Sequence, residues 1–490
     1  MFKKILIANR GEIAVRVMKT CQRMGIQTVA VYSQGDRTAL HPRMADEAIE
    51  IGPPPANESY LKVERILEAA KATGAEAVHP GYGFLSENAS FAESAEAAGI
   101  KWIGPPTGAI QQMGDKLTAR EIAKKSNVPI VPGSDVLASA AEAKKMAKEI
   151  GYPVLLKASA GGGGKGMRVV ESEDEIENAF ERASSEAERS FGNPDMYMEK
   201  FVPHAKHIEV QVFSDSQGNH VWLGERECSI QRRHQKLIEE SPSAAISEEQ
   251  RQEMGESAVA LAKGCDYVNA GTVEFLFDAD EEKYYFLEMN TRLQVEHPVT
   301  EMVTGQDLVE WQLLVAAGEP LPLSQDEIQR QGVAIECRLY AEDPIDFLPA
   351  TGRLRVFMPP KGEGIRLDTG FEQGDMVGAY YDPLLSKFIV HGKDRMDAIG
   401  KLKRALDQFA IAGVTTNLAY HRAVLEIEDF QQGRHLTNFV ETHSIEFDPT
   451  SSEKAILAEV VGQLHQECEQ KLITSLKASQ DGWPSQEVAR

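Results

Sequence analysis

Apolar positions at the start of the chain fall in short runs separated by one helical stretch. "ILIAN" and "TVAVYS" read as strands, and Ile13 to Met24 between them repeats its apolar positions with a helical period. "EAVHPGYGFLSEN" is a further strand running into a loop. This alternation predicts an open parallel α/β domain. The first turn, "ANRGEIA", has one glycine where a dinucleotide-binding turn has three, so no NAD site is read there. "GPPTGAI" at Gly104 to Ile110 marks a boundary, and helix signals follow from Asp115 to Ser126. A small α/β unit spans Val131 to Tyr197, and strands dominate from Phe201 to Gly305. After "AAGEPLP" the strand pattern returns in "AIECRLYAED", "GRLRVFMPP" and "FIVHG", and a helix pattern covers Arg395 to Phe409. Glu453 to Leu476 reads as one amphipathic helix, with a polar tail after it.

The length of 490 residues gives room for about three domains. A formal charge of −23 argues against nucleic acid or an anionic membrane as the main partner, while leaving room for a local basic site that holds an anion. The five cysteines (Cys21, Cys228, Cys265, Cys337, Cys468) have no metal or disulfide spacing, as expected of a reducing compartment. No apolar run reaches the roughly 18 residues of a membrane span. "MFKKILIANRG" starts like a signal segment, but its apolar stretch is too short and runs straight into fold sequence. The expectation is a soluble cytoplasmic protein.

Two stretches carry candidate chemistry. "KASAGGGGKGM" runs from Lys157 to Met167, flanked by the apolar runs "YPVLL" and "MRVV", and reads as the turn of a β-hairpin. Bare backbone N–H groups with a lysine on each side suit a polyphosphate. The same spelling also fits a flexible surface hairpin. It is not a P-loop, because Gly166 rather than Ser or Thr follows Lys165. Nor is it a Rossmann turn, because β-branched residues follow in place of a helix.

The second stretch is "GTVEFLFDADEEKYYFLEMNTRLQVEHP". "TVEFLF" and "YYFLEMN" read as strands joined by "DADEEK". Centring the hairpin near Glu281 puts Glu274 opposite Glu288, on a face shared with Leu276 and Phe286. Phe275, Phe277, Tyr285 and Leu287 then occupy the other face. A buried like-charge pair must share a proton or hold a cation, and two such carboxylates suit Mg²⁺ bridging nucleotide phosphates. A solvated acidic edge is the weaker alternative. The same parity continues through Asn290, Arg292, Gln294 and Glu296, until Pro298 ends the run. Such a row could bind a small anion and deprotonate it, or form the wet face of a strand. Upstream, "CSIQRRHQKLIEE" gathers Arg232, Arg233, His234 and Lys236, either as an anion site or as a solvated turn.

Taken together, "ILIANRGEIAVR", "HPGYGFLSEN", "MGDK", "KASAGGGGKGMRVV", "MEKF", "HIEVQVF", "RECSIQRRHQK" and "FLEMNTRLQVEHPVTE" resemble the biotin carboxylase family, from Met1 to about Thr442. The resemblance implies an α/β (α+β) ATP-grasp fold. Residues 1–113 would form the N-terminal open parallel domain and 114–330 the ATP-grasp domain, with a mobile glycine-rich lid over about 131–203. Residues 331–446 would form a mixed β/α domain, and 447–490 a helical tail of no assigned role. The family pattern implies that Lys116 and Lys157 hold ATP phosphates under Gly163 and Gly164. Glu199, Lys200 and Val202 would sit at the adenine with Met167 and Leu276 nearby, and His207, Gln231 and His234 would line the nucleotide. Glu274, Glu288 and Asn290 would bind two Mg²⁺ or Mn²⁺, and Lys236, Arg292, Gln294 and Val295 bicarbonate. Glu296 would be the base and Arg338 the partner of the biotin enolate, with Lys236 and Arg292 also catalytic.

The implied activity is ATP-dependent carboxylation of carrier-bound biotin by bicarbonate, the first half-reaction of an acetyl-CoA or other acyl-CoA carboxylase. The implied partners are a biotin carboxyl carrier protein, carboxyltransferase subunits and a second copy of the chain. Nothing like the carrier's Ala-Met-Lys-Met motif is present, which resembles a stand-alone subunit. Two departures are small: Ala160 precedes the glycine run where some relatives carry another glycine, and Ala244 stands where many have proline. Another ATP-grasp ligase would share the lid and the acidic hairpin, but has no need for "RLQVEHP" together with "QRRHQK". A catalytically silent scaffold would not need the full set of site residues.

Overall fold

The computed structural model of the protein describes residues 1–159, 166–233 and 235–446, with the single positions Val461 and Lys471. The glycine run, including Gly163 and Gly164, lies outside the described residues, as do His234 and, but for those two positions, the helix expected over Glu453 to Leu476.

In the N-terminal part, β1 (Lys4–Ile7), β2 (Gln27–Ser33), β3 (Glu47–Gly52), β4 (Ala77–His79) and β5 (Lys101–Trp102) form a parallel sheet in the order β3-β2-β1-β4-β5. Alternate side chains of β1 are buried on opposite faces. Ile5 and Ile7 pack with Ile13 and Val17 of the helix Gly11–Arg23, whereas Leu6 packs with Val29 and Val31. Both faces being covered explains why the sequence reads as continuous apolar runs. The strand order reverses between β1 and β4, so the turns that leave these two strands meet. Asn9 Nδ2 joins them, donating to the carbonyls of Pro80 (2.7 Å) and Tyr82 (2.8 Å).

The glycine run is spanned by a hairpin, as expected: β6 (Val154–Ala158) pairs antiparallel with β7 (Met167–Val170), and β8 (Met196–Lys200) flanks β6. Ala143, Ala147, Ala183 and Ala187 let two helices pack closely on Val154, Leu156, Val170 and Met198.

The main sheet begins with β9 (Ala205–Ser214), β10 (His220–Arg232), β11 (Gln235–Ser241), β12 (Asn269–Asp278), β13 (Lys283–Asn290) and β14 (Val333–Tyr340). Its order is β13-β12-β9-β10-β11-β14, continued by the strands Leu384–Gly392 and Ile365–Thr369, all antiparallel. One face is apolar. Val210, Val212, Val273 and Phe275 pack under the helix Glu248–Gly264, and Cys337, Leu339 and Phe388 under the helix Arg395–Gln408. The other face carries buried polar side chains and forms the floor of the site.

One expectation is filled out and two need correction. The segment Phe201 to Gly305 also contains the helix Glu248–Gly264, opened by a capping box between Ser247 and Gln250. "GRLRVFMPP" splits into two short strands with different partners, Gly352–Arg353 and Val356–Met358. The strand expected to run on to Pro298 ends at Asn290, and Pro298 sits in the first turn of the helix His297–Thr304, where its missing N–H costs nothing.

Candidate active site

The β12–β13 hairpin sets two carboxylates face to face: Glu274 pairs with Glu288, as period-2 alternation requires. Beyond that pair the register shifts by one residue, so that Phe275 faces Phe286 and Leu276 faces Tyr285. This bulge corrects the expected distribution of faces. Phe286 turns into the core with Phe275 and Phe277, while Leu287 joins Leu276 at the cavity.

A cavity of about 690 Å³ opens between β6–β8 and the polar face of the main sheet. Its outer end holds Lys116, Lys157, Met167, Glu199, Lys200, Val202, His207, Gln231 and Leu276. Lys157 Nζ lies 2.5 Å from Glu199, whose other oxygen takes the Arg120 guanidinium. The Lys200 ammonium turns away to the carbonyls of Gly151 (2.8 Å) and Tyr152 (3.0 Å). Burial lowers the pKa of Lys116, although Glu288 pulls the other way.

The inner end holds Lys236, Glu274, Glu288, Asn290, Arg292, Gln294, Val295, Glu296 and Arg338. The Lys236 ammonium spends its three donors on Glu209 (2.5 Å), Glu274 (3.0 Å) and Glu296 (2.6 Å). Arg338 donates to Glu296 (2.9 Å) and Glu239 (2.6 Å). Glu296 therefore sits between two cations. Burial alone would raise its carboxyl, but Lys236, Arg338 and Arg226 outweigh that and hold it below the usual range. Glu274 is likewise held low against its burial, by Lys236 and His207, whose Nε2 lies 2.8 Å away. Glu288 keeps contact with solvent, but desolvation by the surrounding cavity wall and the neighbouring Glu274 act together, and its carboxyl is raised. Arg292 donates to Glu87 (3.0 Å) and Asn290 (3.0 Å).

The donor set at Glu274, Glu288 and Asn290 is all hard oxygen, and no hydrogen bond to the Glu288 carboxylate is found among the described residues, so the residues present fit a hydrated divalent cation. The basic stretch does not act as one cluster. Arg232 lies over the Phe347 ring, 3.9 Å from its centroid, and Arg233 is exposed at the hairpin tip, whereas Lys236, opposite Gln231 in the ladder, enters the cavity.

Several site residues escaped the sequence reading: Glu87, Arg120, Glu209, Arg226 and Glu239. Arg226 is fully buried and donates to Glu209, Gln211 (2.8 Å), Thr272 (3.1 Å), Gln294 (2.9 Å) and Thr300 (3.0 Å). The available signal was "HIEVQVF", where His207, Glu209 and Gln211 alternate with apolar residues within a strand that is buried on both faces.

Residues 1–110 match the family model for the biotin carboxylase N-terminal domain, 115–324 that for the carbamoyl-phosphate synthase L chain ATP binding domain, and 336–442 that for the biotin carboxylase C-terminal domain. Biotin carboxylase 1 of Bacillus subtilis is 51% identical over 447 residues, which cover 91% of this chain and 99% of that one. The biotin carboxylase–βγ-ATP complex from Campylobacter jejuni superposes with a TM-score of 0.87 at 48% identity, covering 90% of this chain and 99% of that one. The biotin carboxylase domain dimer of Hydrogenobacter thermophilus 2-oxoglutarate carboxylase, in complex with MgADP, ADP and bicarbonate, gives 0.86 at 48% identity, covering 91% and 99%. With all three parts matched in order over the cavity just described, the chain belongs to the biotin carboxylase family and has the ATP-grasp fold.

Proposed function

We propose that the chain carboxylates biotin on a carrier protein, using ATP and bicarbonate by way of carboxyphosphate. The observation that carries this reading is the chain of contacts Lys236–Glu296–Arg338 beside the Glu274–Glu288 pair in one cavity. Residues 1–113, 114–330 and 331–446 are its three working parts, a division supported by the spans of the matching family models.

ATP lies along the outer end. Glu199, Lys200, Val202, Met167 and Leu276 take the adenine, His207, Gln231 and His234 line the nucleotide, and Lys116 and Lys157 take the phosphate charge together with Gly163 and Gly164. Glu274, Glu288 and Asn290 would hold two Mg²⁺ or Mn²⁺, which would offset the charge on the transferred phosphoryl group. Bicarbonate enters between Lys236, Arg292, Gln294 and the backbone of Val295, whose donors can face its oxygens. Its entry draws Lys236 off Glu296, which relieves the depression of that carboxyl and lets it accept the bicarbonate proton. The deprotonated oxygen attacks the γ-phosphorus, ADP leaves, and carboxyphosphate forms. It breaks down to CO₂ and phosphate, the phosphate takes the N1 proton of biotin, and Arg338 faces the enolate oxygen. Closure of the lid excludes water, which would otherwise consume these intermediates.

The enzyme is a ligase subunit that works with a carrier and a carboxyltransferase, as a homodimer. The homodimer is supported by the dimeric state of the Hydrogenobacter thermophilus relative. The final acceptor is acetyl-CoA or another acyl-CoA. A reducing compartment such as the cytoplasm suits the four buried free thiols among the described residues, and no described helix is long and apolar enough to cross a membrane. The test is ADP release with Mg·ATP, with and without bicarbonate, then with free biotin. Turnover that needs bicarbonate and rises with biotin supports the proposal. Hydrolysis indifferent to both, or none, overturns it.

A further inference from the structure

Beneath Arg338, on the polar face of the main sheet, lies a buried group that the chemistry above does not use. Glu239 on β11 and Glu336 on β14 stand directly opposite each other in the ladder. Both are completely buried. Glu239 spends one oxygen on Arg338 Nε at 2.6 Å, while its second oxygen and both oxygens of Glu336 have no hydrogen-bond partner. The other charged groups around the pair are committed elsewhere. Lys387 on the next strand bonds the Val295 carbonyl and Glu12, Lys236 bonds three other carboxylates, and Glu301 on the covering helix pairs with Arg16 and Arg366. His297 on the same helix is kept neutral by its burial. Two ionised carboxylates facing each other in the interior, with Arg338 bonded to only one of them, are not a stable arrangement.

We propose that the pair holds one proton at neutral pH, that Glu336 carries it as a neutral carboxylic acid donating to Glu239, and that the anionic Glu239 thereby acts as the positioning residue for Arg338. The direction of titration agrees with the geometry: burial raises both carboxyls, Glu239 to about 7 in spite of Arg338, and the neighbouring Glu239 raises Glu336 further. Because the two interact, they lose protons as a pair, and the proton stays on the member without a cation. A neutral Glu336 leaves Arg338 shared between Glu239 and Glu296 only, held with its remaining donors toward the cavity. Ionising it would place a second negative charge beside the guanidinium, blunting its attraction for an incoming oxyanion and making Glu296 retain its proton longer. The inference rests on the proposed carboxylation for the role of Arg338, whereas the protonation state does not depend on that role.

The infrared difference spectrum between the parent chain and Glu336→Gln, at neutral pH, reads the proton directly. A carboxylic-acid C=O band is expected in the parent and absent from the variant; no lost band overturns the protonation claim even if the enzyme turns over as proposed. Stability gives a second readout. A carboxyl raised in the folded state contributes stability at low pH that is lost as pH rises, so from about pH 6 to about pH 9 the parent should lose more of its urea midpoint than Glu336→Gln does. Equal losses overturn the proposal. Glu239→Gln should lower turnover about ten- to a hundredfold with biotin and raise the KM for biotin while leaving the KM for ATP in place. A KM for ATP that moves as far as that for biotin marks Glu239 as merely structural and overturns its positioning role.

Discussion

At the scale of single residues, the site is a lattice of alternating charges in which Lys236 and Arg338 each touch more than one anion. Glu296 shows what this does: its two neighbours Lys236 and Arg338 keep it ionised and aimed. Glu296→Gln preserves size and one of the two acceptor oxygens but cannot accept a proton, so ATP should still bind while bicarbonate-dependent ADP release drops by at least about a hundredfold. Isothermal titration with a non-hydrolysable ATP analogue separates the two effects, and full turnover in this variant would remove Glu296 as the base. Glu288→Ala should weaken Mg²⁺-dependent nucleotide binding, read in a Mg²⁺ titration, because it removes one wall of the carboxylate pair. Glu274, Glu288 and Glu296 could be picked out from the sequence because each sits in a strand-spaced row next to its partner. Arg226 and Glu239 could not. Their partners lie up to 99 residues away, and only the order of strands in the sheet brings them together.

The elements around the cavity owe their form to local chemistry that the sequence states unevenly. The strands of the N-terminal sheet and the hairpin around the glycine run follow from apolar runs and turn residues. The helix Glu248–Gly264 was lost among strands because its apolar stripe is weak, yet Ser247 with Gln250 three residues later is a legible start signal. That helix covers the back of β9 and β12, which carry His207, Glu209 and Glu274 on their other face. Ser247→Ala should cost about 1 kcal/mol of stability in urea unfolding, with the KM for ATP unmoved. A larger loss accompanied by a change in KM would mean that the cap shapes the site as well as the helix. The bulge after Glu274 has no such signal. It depends on whether Leu287 or Phe286 fills the core better, and two large apolar neighbours give the sequence no means of choosing.

For the molecule as a whole, the contacts that join its parts are buried ion pairs close to the site. Lys387, fully buried on a strand of the C-terminal part, reaches Glu12 of the N-terminal part at 3.0 Å and the carbonyl of Val295 in the site at 2.9 Å. Arg16 of the N-terminal helix reaches Glu301 at 2.6 Å and Asp307 at 2.9 Å, and Arg366 closes on the same Glu301 at 2.8 Å. Burial by itself would raise Asp307 and Asp368, but Arg16 and Arg366 hold both well below the usual carboxylate range. A carboxyl depressed in this way contributes stability that is complete above its unfolded pKa, near about 4, and drains away as pH falls through and below it. The urea midpoint should therefore fall steeply below about pH 4, and should respond little to salt, because buried pairs are poorly screened. Arg16→Met removes the cation that depresses Asp307, so its acid slope should be shallower than the parent's even though it starts from a lower stability. Lys387→Met leaves Glu12 buried without its cation and should cost about 3–5 kcal/mol. Since the same ammonium holds the Val295 carbonyl, this variant should also raise the KM for bicarbonate in the fraction that remains folded. A loss of stability with an unchanged KM for bicarbonate would show that the joint between the parts is separate from the site, whereas loss of both ties the packing of the three parts to the geometry of anion binding.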